Sequence, residues 1–230
     1  DTMAGLHTAL GIVMACLYQA RNPGSRGQVI DTALYEAAFN LLEGVVPEYD
    51  GAGVVREPSG STITGIVPTN TYRCSDGKFI IIGANGDSIF KRLCEAMGRT
   101  DMAQDPRLEH NAGRVEHEQE IDAAIEAWTG SLDSVEALST LDDARVPSGP
   151  IYSVADMMVN EHFNARGLFE EVDVDGKPLK IPAMVPKLSE TPGRTDWPGP
   201  ELGAFNEEIY GELLGLSSEE IKDLEAKGVL

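Results

Sequence analysis

Apolar residues recur at helical spacing from the start of the chain. Leu6, Leu10, Val13 and Leu17 fall three and four apart, which predicts a helix over residues 1–20. Gly5 and Ala9 form a row of small residues one turn apart on that helix, a surface that admits close approach by another element. Asp1 or Thr2 is placed to cap it. Asn22-Pro23-Gly24-Ser25 reads as a turn, residues 27–33 (GQVIDTA) as a short strand, and residues 35–43 as a second helix with Ala38, Leu41 and Leu42 apolar. Helix, strand and helix joined by short links suggest part of a parallel α/β layer.

The pattern then changes. Pro47, Gly51, Gly53, Pro58, Gly60 and Pro68 interrupt residues 44–68, where no period is visible, so a linker or extended arm is expected. A second body follows. Residues 71–74 and 78–82 are two strands joined by Ser75-Asp76-Gly77. Asp87 or Ser88 is expected to cap a helix that carries Ile89, Phe90, Leu93 and Met97 and stops at Gly98. Residues 114–129 form an amphipathic helix with Ile121, Ile125 and Trp128 on one face, and 134–143 a shorter one. Residues 145–151 make an extended return, followed by helical turns over 153–165. Residues 168–174 and 179–183 flank Asp175-Gly176-Lys177 as another hairpin. After an irregular arm at 186–200 come a helix at 204–214 and a last helix opened by the capping box Ser217-Ser218-Glu219-Glu220.

Composition narrows the function classes. The chain has 230 residues, is 42% hydrophobic and 24% charged, and so can bury a core. Its net charge of −20 argues against binding along a nucleic-acid backbone, while leaving room for a local basic pocket. No uninterrupted apolar run approaches the roughly 20 residues of a membrane span, so no membrane association is expected. Three cysteines without a CxxC pair suggest neither a disulfide framework nor a zinc site and fit a reducing, cytoplasmic setting. The chain opens at Asp1 and enters an apolar helix at once, so we expect it to be cut from a longer one.

The strong phosphate and nucleophile-elbow motifs are missing: there is no GxGxxG, no GxxxxGK[ST] and no GxSxG. Gly83-Ala84-Asn85-Gly86 joins a strand to a helix and could offer backbone N–H groups to a phosphate, or simply be a tight connection. His110 and His117, among acids and amides, read as a solvated surface or as metal ligands, and His162 has no evident partner. Asp1 stands at the positive end of the first helix, which favours its carboxylate. That suits a cap, and equally a carboxylate nucleophile. His7, six residues on, lies off the line of Asp1, so spacing implies no dyad.

At this point the residues carry a resemblance. DTMAGLHTALGIVMA and GSRGQVIDTALYEAAFNLL, followed in order by TYRCSDGKFIIIG (71–83), FKRLCEAMGR (90–99), RVPSGPIYSV (145–154), ARGLF (165–169) and LGAFNEEIYGELL (202–214), resemble the class III CoA-transferases of the CaiB/BaiF family. The likeness covers nearly the whole chain. It implies an α/β fold, with residues 1–43 belonging to a Rossmann-like large domain, 44–68 a linker, 69–160 a small α/β domain and 161–230 an arm returning to the large domain. It implies that Asp1, in the pattern Asp1-x-x-x-Gly5-x-His7, is the catalytic nucleophile, passing CoA from an acyl-CoA to a carboxylic acid through an aspartyl thioester. Coenzyme A is then a substrate, with no permanently bound cofactor and no metal. The resemblance also implies an interlocked homodimer, an apolar wall for the nucleotide at Leu34, whose other reading is a core leucine, and a glycine-rich loop near Gly60–Gly65 supplying oxyanion donors. The family's first half, with most CoA contacts, has no counterpart here. Ala204-Phe205-Asn206 also replaces the family's frequent Glu-His-Asn, so no role for that histidine carries over. Two other readings stay open: a 2-methylacyl-CoA racemase on the same fold, and a non-catalytic subunit of a split enzyme.

Overall fold

The computed structural model describes residues 1–230. Two compact units divide the chain, Asp1–Pro150 and Ile151–Leu230.

The first unit opens with α1 (Thr2–Arg21), as the apolar spacing predicts. An 18-residue stretch within it has a mean hydropathy of 1.3, so by length and composition α1 is long and apolar enough to cross a membrane. Thr8, His7 and the glycines interrupt the apolar run without lowering this average further. A helix apolar around its whole circumference is also what the centre of a large protein uses. Here only Ala4 of α1 is buried, and Leu6, Leu10, Val13, Met14, Leu17 and Tyr18 are exposed.

Helix α2 (Leu34–Asn40) packs on α1. The predicted strand at 27–33 is not formed, because the chain offers that stretch no neighbouring strand to pair with and every strand pair is antiparallel. The expected linker is also partly helical, as α3 (Val45–Ala52). Pro47 lies in its first turn, where a missing N–H costs no hydrogen bond, and Gly53 ends it with φ of 67°. Residues 54–59 form no helix or strand.

The small body is built on an antiparallel sheet of β1 (Thr69–Arg73), β2 (Phe79–Gly83) and β3 (Ser148–Pro150), with β2 in the middle. Alternation along β2 sends Ile80 and Ile82 inward and leaves Phe79 and Ile81 exposed. Ile80 and Ile82 share one core with Phe90 and Leu93 of α4 (Asp87–Ala96). Helix α5 (Thr100–Ala103) and a 3₁₀ turn at Pro106–Leu108 follow, and Leu108 joins this core. Helices α6 (Asn111–Glu116), α7 (Glu118–Thr129) and α8 (Ser134–Asp143) complete it with Ile121, Ile125 and Leu141.

Two local predictions are corrected. Gly86, not Asp87 or Ser88, is the N-cap of α4, because the Asp87 carboxylate is taken by Arg114 and His110. The helix predicted over 114–129 breaks at His117, whose Nδ1 bonds the Gly113 carbonyl at 2.9 Å. Gly113 itself lies hard against the preceding turn: a Cβ there would stand 1.9 Å from the Arg107 carbonyl oxygen. Gly113→Ala is therefore expected to destabilise the protein by about 1–3 kcal/mol, read as a lower urea midpoint. An unchanged midpoint would show that the 106–113 turn yields freely.

The second unit begins with α9 (Val154–Val159) and α10 (Glu161–Ala165). The hairpin of β4 (Phe169–Val174) and β5 (Lys177–Pro182) turns at Asp175 and Gly176, both with positive φ, as two-residue hairpin loops require. Residues Glu207–Leu213 form a π-helix where an ordinary helix is predicted. Helix α11 (Ser218–Ala226) carries the predicted capping box: the Ser217 N–H donates to Glu220 Oε2 at 2.8 Å and the Glu220 N–H to Ser217 Oγ at 3.3 Å.

Candidate active site

Asp1 is the N-cap of α1, but its side chain accepts no hydrogen bond from the helix. Capping is therefore not the work of this carboxylate. It is exposed at the helix's positive end, where an anion is favoured.

The face of α1 that follows Asp1 is covered along one stripe: Ala4 is buried and His7, Thr8, Gly11 and Ala15 are half-buried. Small side chains let the returning chain come close. A Cβ on Gly11 would stand 3.0 Å from Ile30 Cγ2. Ala37, the buried residue of α2, is equally small. His7 is tied down at both nitrogens. Nδ1 bonds the Met3 carbonyl at 2.8 Å and Nε2 reaches Asn40 Oδ1 at 3.3 Å. The Met3 carbonyl, and after it Asn40, raise the pKa of His7 above its ordinary value. Asp1 is not among its partners, in keeping with the absence of a spaced dyad.

Leu34 opens α2 and is 60% exposed. The Ala33 N–H in front of it donates to Glu36 Oε2 at 3.2 Å, which starts α2 at this residue.

The segment Gly60–Gly65 is fastened to the small body. The Ser61 hydroxyl donates to Asn70 Oδ1 at 2.7 Å and accepts from the Thr71 hydroxyl at 3.0 Å. Asn111 Nδ2 donates to the Gly65 carbonyl at 2.8 Å, and its Oδ1 accepts the Val67 N–H at 3.1 Å. Both glycines have positive φ. None of these tethers was foreseen from the sequence, where asparagine carries no long-range signal.

The other candidates have partners of their own. In the Gly83–Gly86 connection, the Gly83 N–H goes to the Pro147 carbonyl and the Ala84 N–H to the Pro68 carbonyl, so neither is free for a phosphate. His110 Nδ1 pairs with Asp87 Oδ2 at 2.9 Å, which raises the His110 pKa and, with Arg114, lowers that of Asp87. His117 Nε2 lies 3.2 Å from Arg107 Nη1. Burial pushes the Cys94 thiol up to about 12 and raises Cys74 as well, so neither is a thiolate nucleophile near neutral pH.

The sequence profile of CoA-transferase family III matches residues 1–206. The chain is 40% identical to succinyl-CoA–D-citramalate CoA-transferase of Chloroflexus aurantiacus, over 100% of this chain and 57% of that protein. It is 36% identical to a succinyl-CoA–L-malate CoA-transferase alpha subunit of the same organism, over 100% of this chain and 50% of that one. A CaiB/BaiF family protein from Brucella suis superposes with a TM-score of 0.73 at 28% identity, over 92% of this chain and 54% of its own length. The chain thus spans about half the length of the relatives it matches. Profile, relatives and fold agree, and the α/β chain with Asp1 at the head of its first helix belongs to CoA-transferase family III.

Proposed function

We propose that this chain forms the nucleophile-bearing part of a cytoplasmic CoA-transferase that moves CoA from an acyl-CoA to a carboxylic acid, with Asp1 as the covalent residue. The carrying observation is the uncommitted Asp1 carboxylate at the N-terminus of α1 in a chain of this family. Each step is balanced. An Asp1 oxygen attacks the thioester carbonyl and expels CoA thiolate, leaving a mixed anhydride. The thiolate attacks the aspartyl carbonyl and expels the donor carboxylate, leaving an aspartyl thioester. The acceptor carboxylate attacks that carbonyl and releases the thiolate again. The thiolate then attacks the acceptor carbonyl and frees Asp1. No net proton, oxidant or metal is needed. Backbone N–H groups stabilise each oxyanion, and the tethered Gly60–Gly65 segment is our candidate donor loop.

Relatives that use succinyl-CoA with citramalate or malate point to succinyl-CoA as donor and a short dicarboxylic acid as acceptor. Leu34, exposed at the start of α2, is the proposed apolar contact for the CoA nucleotide. The exposed apolar side chains of α1 call for cover, and we propose that the remainder of a full-length polypeptide and a second protomer provide it.

The test is chemical trapping. The complete polypeptide is incubated with succinyl-CoA and quenched with hydroxylamine, and its peptides are analysed by mass. A hydroxamate on Asp1 is expected. A hydroxamate on another residue, or none while CoA transfer proceeds, would sink the assignment.

A further inference from the structure

We infer that His7 is a positioning residue for this centre: its imidazole ties α2 to the first turns of α1 and so fixes the surface beside the Asp1 carboxylate. The inference rests on Asp1 being the nucleophile.

The covered stripe of α1 is made of Ala4, Thr8, Gly11 and Ala15, with His7 at its edge. Small residues permit close approach but supply few dispersion contacts, so they leave α2 free to slide or rotate. Helix α2 has only seven residues, too few to hold a helix without tertiary support. One side-chain hydrogen bond joins the two helices, His7 Nε2 to Asn40 Oδ1 at 3.3 Å. The other ring nitrogen is anchored on α1 itself, to the Met3 carbonyl, so the ring cannot swing away without losing that bond. Asn40 is the last residue of α2, and the Glu36–Ala33 bond secures its first turn. The latch therefore sets how the other end of α2, with Leu34, lies against the helix that carries Asp1.

His7 is not placed to react. Six residues separate it from Asp1, about 9 Å along the helix axis, and it stands off the line of that residue. Nor is the latch a pH switch. The Asn40 amide accepts from an Nε2–H, and turned over it donates to a bare Nε2, so either state of the ring keeps a partner.

The test uses the complete polypeptide and measures single-turnover formation of the Asp1 thioester from succinyl-CoA, together with steady-state kcat and KM. His7→Ala and Asn40→Ala are each expected to slow thioester formation and kcat by about 10–100-fold with little change in KM. The double variant is expected to be no slower than either single one, since all three cut the same contact. His7→Gln keeps an N–H that can meet Asn40 and should regain most of the rate. Asn40 is exposed, so Asn40→Ala keeps the inference testable even if His7→Ala fails to fold. Wild-type rates in both alanine variants, additive losses, or a His7→Gln variant as slow as His7→Ala would overturn it. The last outcome would make the imidazole itself essential. Failure of the underlying reading looks different: Asp1→Asn would then still form an enzyme-bound thioester, on another residue, whatever the latch variants do.

Discussion

Asn in place of Asp1 is expected to lower CoA transfer by about four orders of magnitude or more in the complete polypeptide, with folding unaffected. The substitution keeps the shape of the side chain and removes the anionic oxygen proposed to attack the thioester. It also removes little else. The Asp1 side chain makes no capping bond to α1, so no structural contact is lost with its charge. That separates this position from most helix N-caps, where substitution costs stability as well. A dead enzyme with an unchanged thermal midpoint is thus the signature of a nucleophile. The same variant discriminates the rivals. A racemase would exchange the α-proton of a 2-methylacyl-CoA with deuterated solvent and lose that exchange in Asp1→Asn, without any hydroxylamine-sensitive adduct in the parent. A non-catalytic subunit would support the same turnover with or without the carboxylate. Either result would end the transferase mechanism proposed for this chain.

Some of the molecule is legible in the sequence alone. Signals that act within a few residues read correctly. The Ser217–Glu220 box starts α11, and the turn at Asp175 and Gly176 folds β4 onto β5. The apolar spacing of Leu6, Leu10, Val13 and Leu17 does give a helix, although the faces it marks are the exposed ones. The failures have one origin, which is that the deciding partner is remote. Residues 27–33 have strand-like composition, but a strand exists only beside another, and this chain places none there. Pro47 and Gly51 hide α3, because a proline in a first turn and a proline in a loop look alike in sequence. Asp87 has the chemistry of a cap and is claimed instead by Arg114, 27 residues away. The site divides in the same way. Asp1 stood out through its place in an ordered set of family-like segments. Its supports did not, since His7 finds Asn40 across 33 residues and Asn111 finds Gly65 across 46.

The largest effect on stability is expected at Arg114. Its side chain is fully buried, and each of its five N–H groups has an acceptor. Nε donates to the Val67 carbonyl at 3.0 Å, Nη1 to the carbonyls of Leu108 and Glu109 at 3.0 Å each, and Nη2 to the Asn85 carbonyl at 2.5 Å and Asp87 Oδ1 at 2.8 Å. The guanidinium also lies 5.0 Å from the centre of the Phe90 ring. Four chain segments meet on this one group: the end of the tethered loop, the β2–α4 connection, α4 and the 3₁₀ turn. Arg114→Met fills similar space but leaves the inward carbonyls without donors, and Arg114→Lys has three N–H groups for five acceptors. Each is expected to cost about 3–5 kcal/mol, read as a fall in the urea midpoint. Faster amide exchange at Val67 should accompany it, because the same group holds the strand entry that carries Gly60–Gly65. A loss below about 1 kcal/mol would mean that water reaches those carbonyls and replaces the guanidinium. Arg114 would then be an accessory to the fold of the small body rather than the tie on which its loops converge.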